Sequence, residues 1–171
     1  MEEEKKKRFT QAIENNKGIV FKVANSYCHD RASVDDLIQE ILIQVWLSFD
    51  SYKDSYKFST WLYKVAFNVA ISFYRREKRH LDFKKNKLTE AAIVAEDDNE
   101  KEALQQHLKL LHQLISEFKE VDRALVLLYL DGCSQREVAS IIGISESNVA
   151  TRMHRIKNKL KRKFKEIKNY E

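Results

Sequence analysis

The chain has 171 residues, no proline and three glycines, Gly18, Gly132 and Gly143; strand-rich and loop-rich folds draw on both residues for turns, so the composition argues against a sandwich, a barrel or a doubly wound sheet. An all-α protein of one or two small domains is expected. The net charge is +5, and its arrangement matters more than its sum. Residues 71–87 carry seven basic and two acidic side chains, residues 88–104 one and six, and residues 145–171 nine and three.

In chain order, Phe9, Ile13, Val20, Val23, Ala24 and Tyr27 keep helical spacing and predict a first helix to about Cys28. Ser33-Val34-Asp35-Asp36 looks like a capping-box start. From there Val34, Leu37, Ile38, Ile41, Leu42, Val45, Trp46 and Phe49 form a wide apolar stripe. Residues 50–58 lose the period and read as a loop, after which Ser59 or Thr60 caps a helix expected to reach about Arg79. On that helix Leu62, Ala66, Val69 and Phe73 lie together, with Tyr63, Ala70 and Tyr74 beside them. Trp61, Lys64, Asn68, Ser72, Arg75 and Arg79 share the other side.

Residues 82–102 turn from basic to acidic without an apolar period and predict a linker, so the two lobes need not touch. Leu104, Leu108, Leu111, Leu114, Ile115 and Phe118 resume the helical spacing. The apolar run 124–130 follows and stops at Gly132 as a C′ residue. Ser134-Gln135-Arg136-Glu137 is a capping box opening a short helix that ends at Gly143, and Ser145 caps a last helix to about Lys168. Short helix, tight turn and long helix make a helix-turn-helix, with Ser134, Ala139, Gly143 and Val149 marking its cap, close approach, turn and core. Val149, Met153, Ile156 and Leu160 form the buried side of the last helix. Ser147, Thr151, His154, Asn158 and Lys161 point away, and Arg152, Arg155 and Lys157 flank them. Such a helix suits the DNA major groove, where Ser, Thr, Asn and Arg read base edges and outer cations hold phosphates. Two basic lobes around an acidic connector fit the same long polyanion.

Cys28 and Cys133 are isolated, so two unpaired thiols in a reducing compartment are expected. No stretch approaches a membrane span and the start, Met-Glu-Glu-Glu-Lys-Lys-Lys, does not read as a signal peptide. A cytoplasmic protein without membrane insertion is expected. There is no Gly-rich phosphate loop, no His-Glu-x-x-His and no Cys-x-x-Cys, and His107 and His112 fall on different helix faces. No metal, cofactor, small-molecule substrate or enzymatic activity is therefore expected.

Both lobes resemble the sigma-70-type sigma factors of bacterial RNA polymerase, in the extracytoplasmic-function (ECF) group. The first lobe carries the resemblance in residues 35–46, Asp-Asp-Leu-Ile-Gln-Glu-Ile-Leu-Ile-Gln-Val-Trp, in Phe58-Ser59-Thr60-Trp61-Leu62 with the helix that follows, and in Arg75-Arg76-Glu77-Lys78-Arg79. The second carries it in Arg123, in residues 129–139, in Ile142-Gly143-Ile144-Ser145 and in Arg152-Met153-His154-Arg155. The resemblance implies two small helical domains joined by a flexible linker. Residues 1–84 would be a region 2-like domain, 85–103 the linker and 104–171 a region 4-like helix-turn-helix domain.

It further implies that Asp36, Gln39, Glu40 and Gln44 meet core RNA polymerase at the clamp helices of its largest subunit, with the flap as a second contact. Tyr52, Lys53, Tyr56, Lys57, Trp61, Asn68, Arg75, Arg76 and Arg79 would read and melt the promoter −10 element, since unstacked bases need aromatic surfaces and backbone cations. Ser147, Asn148, Thr151, Arg152, His154, Arg155 and Lys157 would read the −35 element as duplex. An anti-sigma factor is implied as a further partner. The chain departs from the usual family pattern in having Phe118-Lys119 for Leu-Pro, Ser72 for an acid, and Phe67 and Ala150 for basic residues. An ordinary helix-turn-helix repressor or activator is the competing reading; it would bind duplex DNA alone as a dimer.

Overall fold

The computed structural model describes residues 2–53, 55, 57–84, 109–111 and 113–168, and among them every regular element is a helix. α1 is Glu2–Glu14, α2 Lys17–Tyr27, α3 Arg31–Ser48 with a 3-10 turn over Phe49–Ser51, and α4 Phe58–Lys84. Residues 109–111 and 113–116 are also helical. α5 (Glu120–Leu130), α6 (Gln135–Ile142) and α7 (Glu146–Lys168) follow among the described residues. The expected linker, 85–103, lies outside the described residues, as do Leu104 and Leu108.

Several boundaries differ from the sequence reading. The first helix is broken in two at Asn15-Asn16, where the Asn16 side-chain amide donates to the Ala12 carbonyl and its backbone N–H to Ile13. Asparagine offers the backbone this local alternative to the helix ladder, and apolar spacing does not register it. α3 begins earlier than Ser33: Asp30 is the N-cap and its carboxylate accepts from the Ser33 N–H at 2.9 Å. α4 starts at Phe58, with the Lys57 carbonyl accepting from Thr60 and Trp61, so neither Ser59 nor Thr60 is its cap.

The second lobe follows its sequence signals. Gly132 (φ 75°) and Gly143 (φ 79°) are left-handed, and Ser134 and Glu137 exchange both capping-box bonds. Ser145 Oγ accepts from the Asn148 N–H at the start of α7.

α2, α3 and α4 pack through Val23, Ala24, Leu37, Ile41, Val45, Leu62, Ala66 and Ala70, all buried. Leu125, Leu128, Val138, Ala139, Ile141, Val149 and Ile156 form the helix-turn-helix core. Each such valine, leucine or isoleucine side chain removed from water contributes roughly 1.5–3 kcal/mol, and this packing holds α7 against α5 and α6.

These clusters merge into one core, because the lobes touch: α4 packs against α5 and α6. Arg123 of α5 is fully buried in the seam. It donates to the carbonyls of Ser26 (3.0 Å) and Ser116 (2.7 Å), and lies over the rings of Tyr27 and Tyr74. Tyr27 Oη donates to the Glu120 carbonyl at 2.6 Å, Arg75 Nε to Glu120 Oε1 at 2.7 Å, and Asp131 accepts from Tyr63 and Lys22. Phe67, on α4, is buried and stacks on Tyr63.

Candidate nucleic-acid and partner interface

α3 turns its apolar stripe inward and leaves Asp36, Gln39 and Gln44 exposed, with Glu40 partly so. Glu40 Oε1 accepts from Arg76 Nη2 at 2.6 Å, and that guanidinium lies 5.1 Å from the centre of the Phe73 ring. One residue expected to meet a protein thus pairs with one expected to meet DNA. The same face exposes Ile43 (56%) and Leu47 (66%), which the sequence reading did not select. Their signal was present: they are the apolar residues of this helix that fall out of phase with its stripe. Positions 36, 40, 43 and 47 recur at helical spacing and form one ridge of apolar and acidic side chains. Ser33, Asp36, Gln39, Glu40, Phe73 and Arg76 line a notch beside it.

The loop aromatics are more structural than the sequence suggested. Tyr52 is half-buried, stacked with Phe49 and in contact with Phe58 and Trp61 at ring distances of 5.2 and 5.4 Å. Phe9 extends the cluster by edge contacts to Phe49 and Trp46. Trp61 belongs to this packed set, Lys53 and Lys57 are exposed, and Tyr56 lies outside the described residues. Asn68, Arg75 and Arg79 are exposed along one side of α4, as expected, and Arg76 stands one step round. Arg75 is engaged in the seam with Glu120, and its guanidinium holds that carboxyl below its ordinary range.

α7 carries the most regular surface. Ser147, Asn148, Thr151, His154, Arg155, Lys157 and Asn158 are exposed, opposite the buried Val149 and Ile156. Thr151 Oγ1 donates to the Ser147 carbonyl, and Asn158 and His154 meet at 3.0 Å. Lys157 lies over the Tyr129 ring. Arg152 is different: its Nε donates to Asn148 Oδ1 and its Nη1 to Asp122 Oδ1, and it is only partly exposed. Asp122 was not anticipated, since one acid in the first turn of a helix reads as an ordinary dipole partner. Cys28 and Cys133 are both free, and burial pushes the Cys28 thiol up to about 12. Among the described residues no helix is long and apolar enough to cross a membrane.

A capped short helix, a left-handed glycine and a long helix presenting hydroxyls, amides and cations define a DNA-binding protein of helix-turn-helix class, here packed against a second helical lobe that has its own ridge of apolar and acidic side chains. Comparison with known proteins gives the family. Sigma-70 region 2 matches residues 12–80 and sigma-70 region 4 matches residues 108–160. The ECF RNA polymerase sigma factor SigW of Bacillus subtilis is 26% identical over 168 residues, covering 93% of this chain and 90% of that protein. The RNA polymerase sigma factor CarQ of Myxococcus xanthus is 30% identical over 138 residues, covering 80% and 77%. A solved structure of the sigma factor RpoE in complex with the anti-sigma factor NepR, from Bartonella quintana, superposes with a TM-score of 0.73 at 20% identity, covering 93% of this chain and 98% of that one.

The chain belongs to the sigma-70 family of RNA polymerase sigma factors, in its ECF group. Its function is promoter-specific transcription initiation with core RNA polymerase.

Proposed function

We propose the following division of labour within that function. Residues 1–84 dock on core polymerase through the α3 ridge, at the clamp helices, and hold the −10 element along α4. Residues 104–171 read the −35 element through α7 and meet the flap, and residues 85–103 tether the two. The observation that carries this reading is α7 itself: Ser147, Asn148, Thr151, His154, Arg155 and Lys157 are exposed on the side opposite the buried Val149 and Ile156, directly after a capped helix and a left-handed glycine. A solubilising helix would not need Ser147, Asn148, Thr151 and His154 on one groove-width face.

On the α3 ridge, Ile43 and Leu47 supply the apolar centre and Asp36, Gln39, Glu40 and Gln44 the polar rim, the usual anatomy of a protein contact. On α4, Asn68, Arg75, Arg76 and Arg79 offer an amide and cations to an opened strand, with Lys53 and Lys57 at the loop. The half-buried ring of Tyr52 fixes that loop. Arg75 and Arg76 are paired with Glu120 and Glu40 in the free chain, so binding exchanges those pairs for phosphate. The protein acts in the cytoplasm, catalyses no reaction of its own, and takes an anti-sigma factor as a further partner, as RpoE does NepR.

In vitro transcription with purified core tests the assignment. The chain should direct initiation at a subset of genomic promoters. Leu47→Asp should weaken core binding on gel filtration by about tenfold or more while leaving the melting temperature unchanged, because an exposed residue is replaced. Arg155→Ala should leave core binding intact and weaken only promoters with an intact −35 block. Equal core binding by Leu47→Asp, or promoter-independent effects of Arg155→Ala, would refute the respective assignment.

A further inference from the structure

Asp122 is almost fully buried, 6% exposed, in the first turn of α5, and both its oxygens are taken by α7. Oδ1 accepts from Arg152 Nη1 at 2.7 Å and Oδ2 from Arg155 Nη2 at 3.3 Å. The two arginines are held unequally. The Arg152 side chain is 31% exposed and is pinned twice, by Asp122 and by Asn148, whereas that of Arg155 is 68% exposed and pinned once. A guanidinium offers five N–H donors in a planar fork. Arg152 spends Nε and one Nη hydrogen inside the protein, and Arg155 keeps most of its fork for a ligand. An ion pair whose cations stay partly exposed contributes little net stability, so folding alone does not account for an acid placed there.

Resting on the reading of α7 as the −35 helix, we propose that Asp122 is a positioning residue for sequence discrimination. It fixes Arg152 as a strut between α5 and α7 and holds Arg155 at a set height on the groove-facing side. It also places a negative charge where a phosphate would otherwise capture either arginine. Sequence readout needs donors held to about half an ångström, whereas phosphate contacts carry no sequence information. Removing the acid leaves two long cations free to seek phosphates, which raises sequence-independent affinity and lowers discrimination.

The test uses holoenzyme assembled from core polymerase and the full chain. It measures binding to a duplex promoter that wild-type holoenzyme recognises, and to the same duplex with its −35 block scrambled. The ratio of the two affinities comes from one preparation and does not depend on the folded fraction, so a merely structural defect would not move it. Asp122→Asn should reduce this ratio by about fivefold or more. It should also steepen the dependence of log affinity on log salt for the scrambled duplex by about one unit, the signature of an added phosphate contact. Arg152→Gln should lower the ratio as well, and the double variant should be no worse than Asp122→Asn alone, because both changes remove the same strut. An Asp122→Asn holoenzyme with wild-type ratio and salt slope overturns the proposal, as does a double variant whose loss is the product of the two single losses. If wild-type holoenzyme binds both duplexes equally, the −35 reading of α7 falls and this proposal falls with it. Wild-type discrimination that survives Asp122→Asn refutes the positioning role alone.

Discussion

Arg123 is the largest fully buried side chain among the described residues, and it sits where two lobes meet. Its η nitrogens donate to the Ser26 and Ser116 carbonyls, while Nε has no hydrogen-bond partner and the guanidinium rests over the Tyr27 and Tyr74 rings. Carbonyl acceptors and aromatic faces replace water around the charge, as burial of a cation requires. Arg123→Ala leaves those carbonyls without donors and should lower stability by about 3 kcal/mol, measured as a shift of the urea midpoint. Arg123→Lys should recover less than half of the loss, because an ammonium lacks the planar fork that reaches both carbonyls and covers both rings. A loss below about 1 kcal/mol for the alanine variant would mean that water enters the seam and the contacts count for little. Arg123 was legible as a family residue, but its sequence neighbours, an acid on one side and an apolar run on the other, say nothing about a carbonyl contributed from 97 positions away.

Among the elements, those in the second lobe were easiest to read, because each end carries a chemical signal. Ser134 and Glu137 bracket the start of α6, Gly143 its end and Ser145 the start of α7. The first lobe was harder where signals compete: Asn15-Asn16 interrupts an otherwise continuous apolar spacing, and Asp30 caps α3 three residues before the serine that resembled a cap. The glycines separate the two kinds of signal. Gly143 adopts φ 79°, whereas Gly18 lies inside α2, and a Cβ at either position would meet nothing within 4 Å. The two alanine substitutions therefore differ in backbone cost alone. Gly143→Ala should lose about 1–2 kcal/mol from the left-handed strain, and Gly18→Ala should gain up to about 0.5–1 kcal/mol through helix propensity and a less disordered unfolded chain. Urea unfolding of the pair measures both signs. Equal effects would show that the φ of Gly143 is not what ends α6.

At the scale of the molecule, the contact between lobes was not legible. The sequence shows two basic lobes and an acidic connector, from which independent lobes are the natural expectation, and the groups that join them are scattered over Tyr27, Tyr63, Arg75, Glu120, Arg123 and Asp131 with no shared period. One of these contacts can be switched by pH without disturbing the rest. Arg75 holds the Glu120 carboxyl below its ordinary value of 4.5, so the folded chain binds that proton less readily than the unfolded chain. The pair therefore contributes in full above pH 4.5 and is lost as pH falls through the lower folded value. Both partners are partly exposed, which limits the contribution to about 1 kcal/mol or less. Glu120→Gln removes the titration but keeps the backbone carbonyl that accepts from Tyr27. On acidification from about pH 6 to about pH 3 the urea midpoint of the wild type should fall further than that of Glu120→Gln, with the gap between them closing as the wild-type carboxyl is protonated. Wild-type and variant midpoints that run parallel across that range would place the acid sensitivity of the seam in another carboxylate.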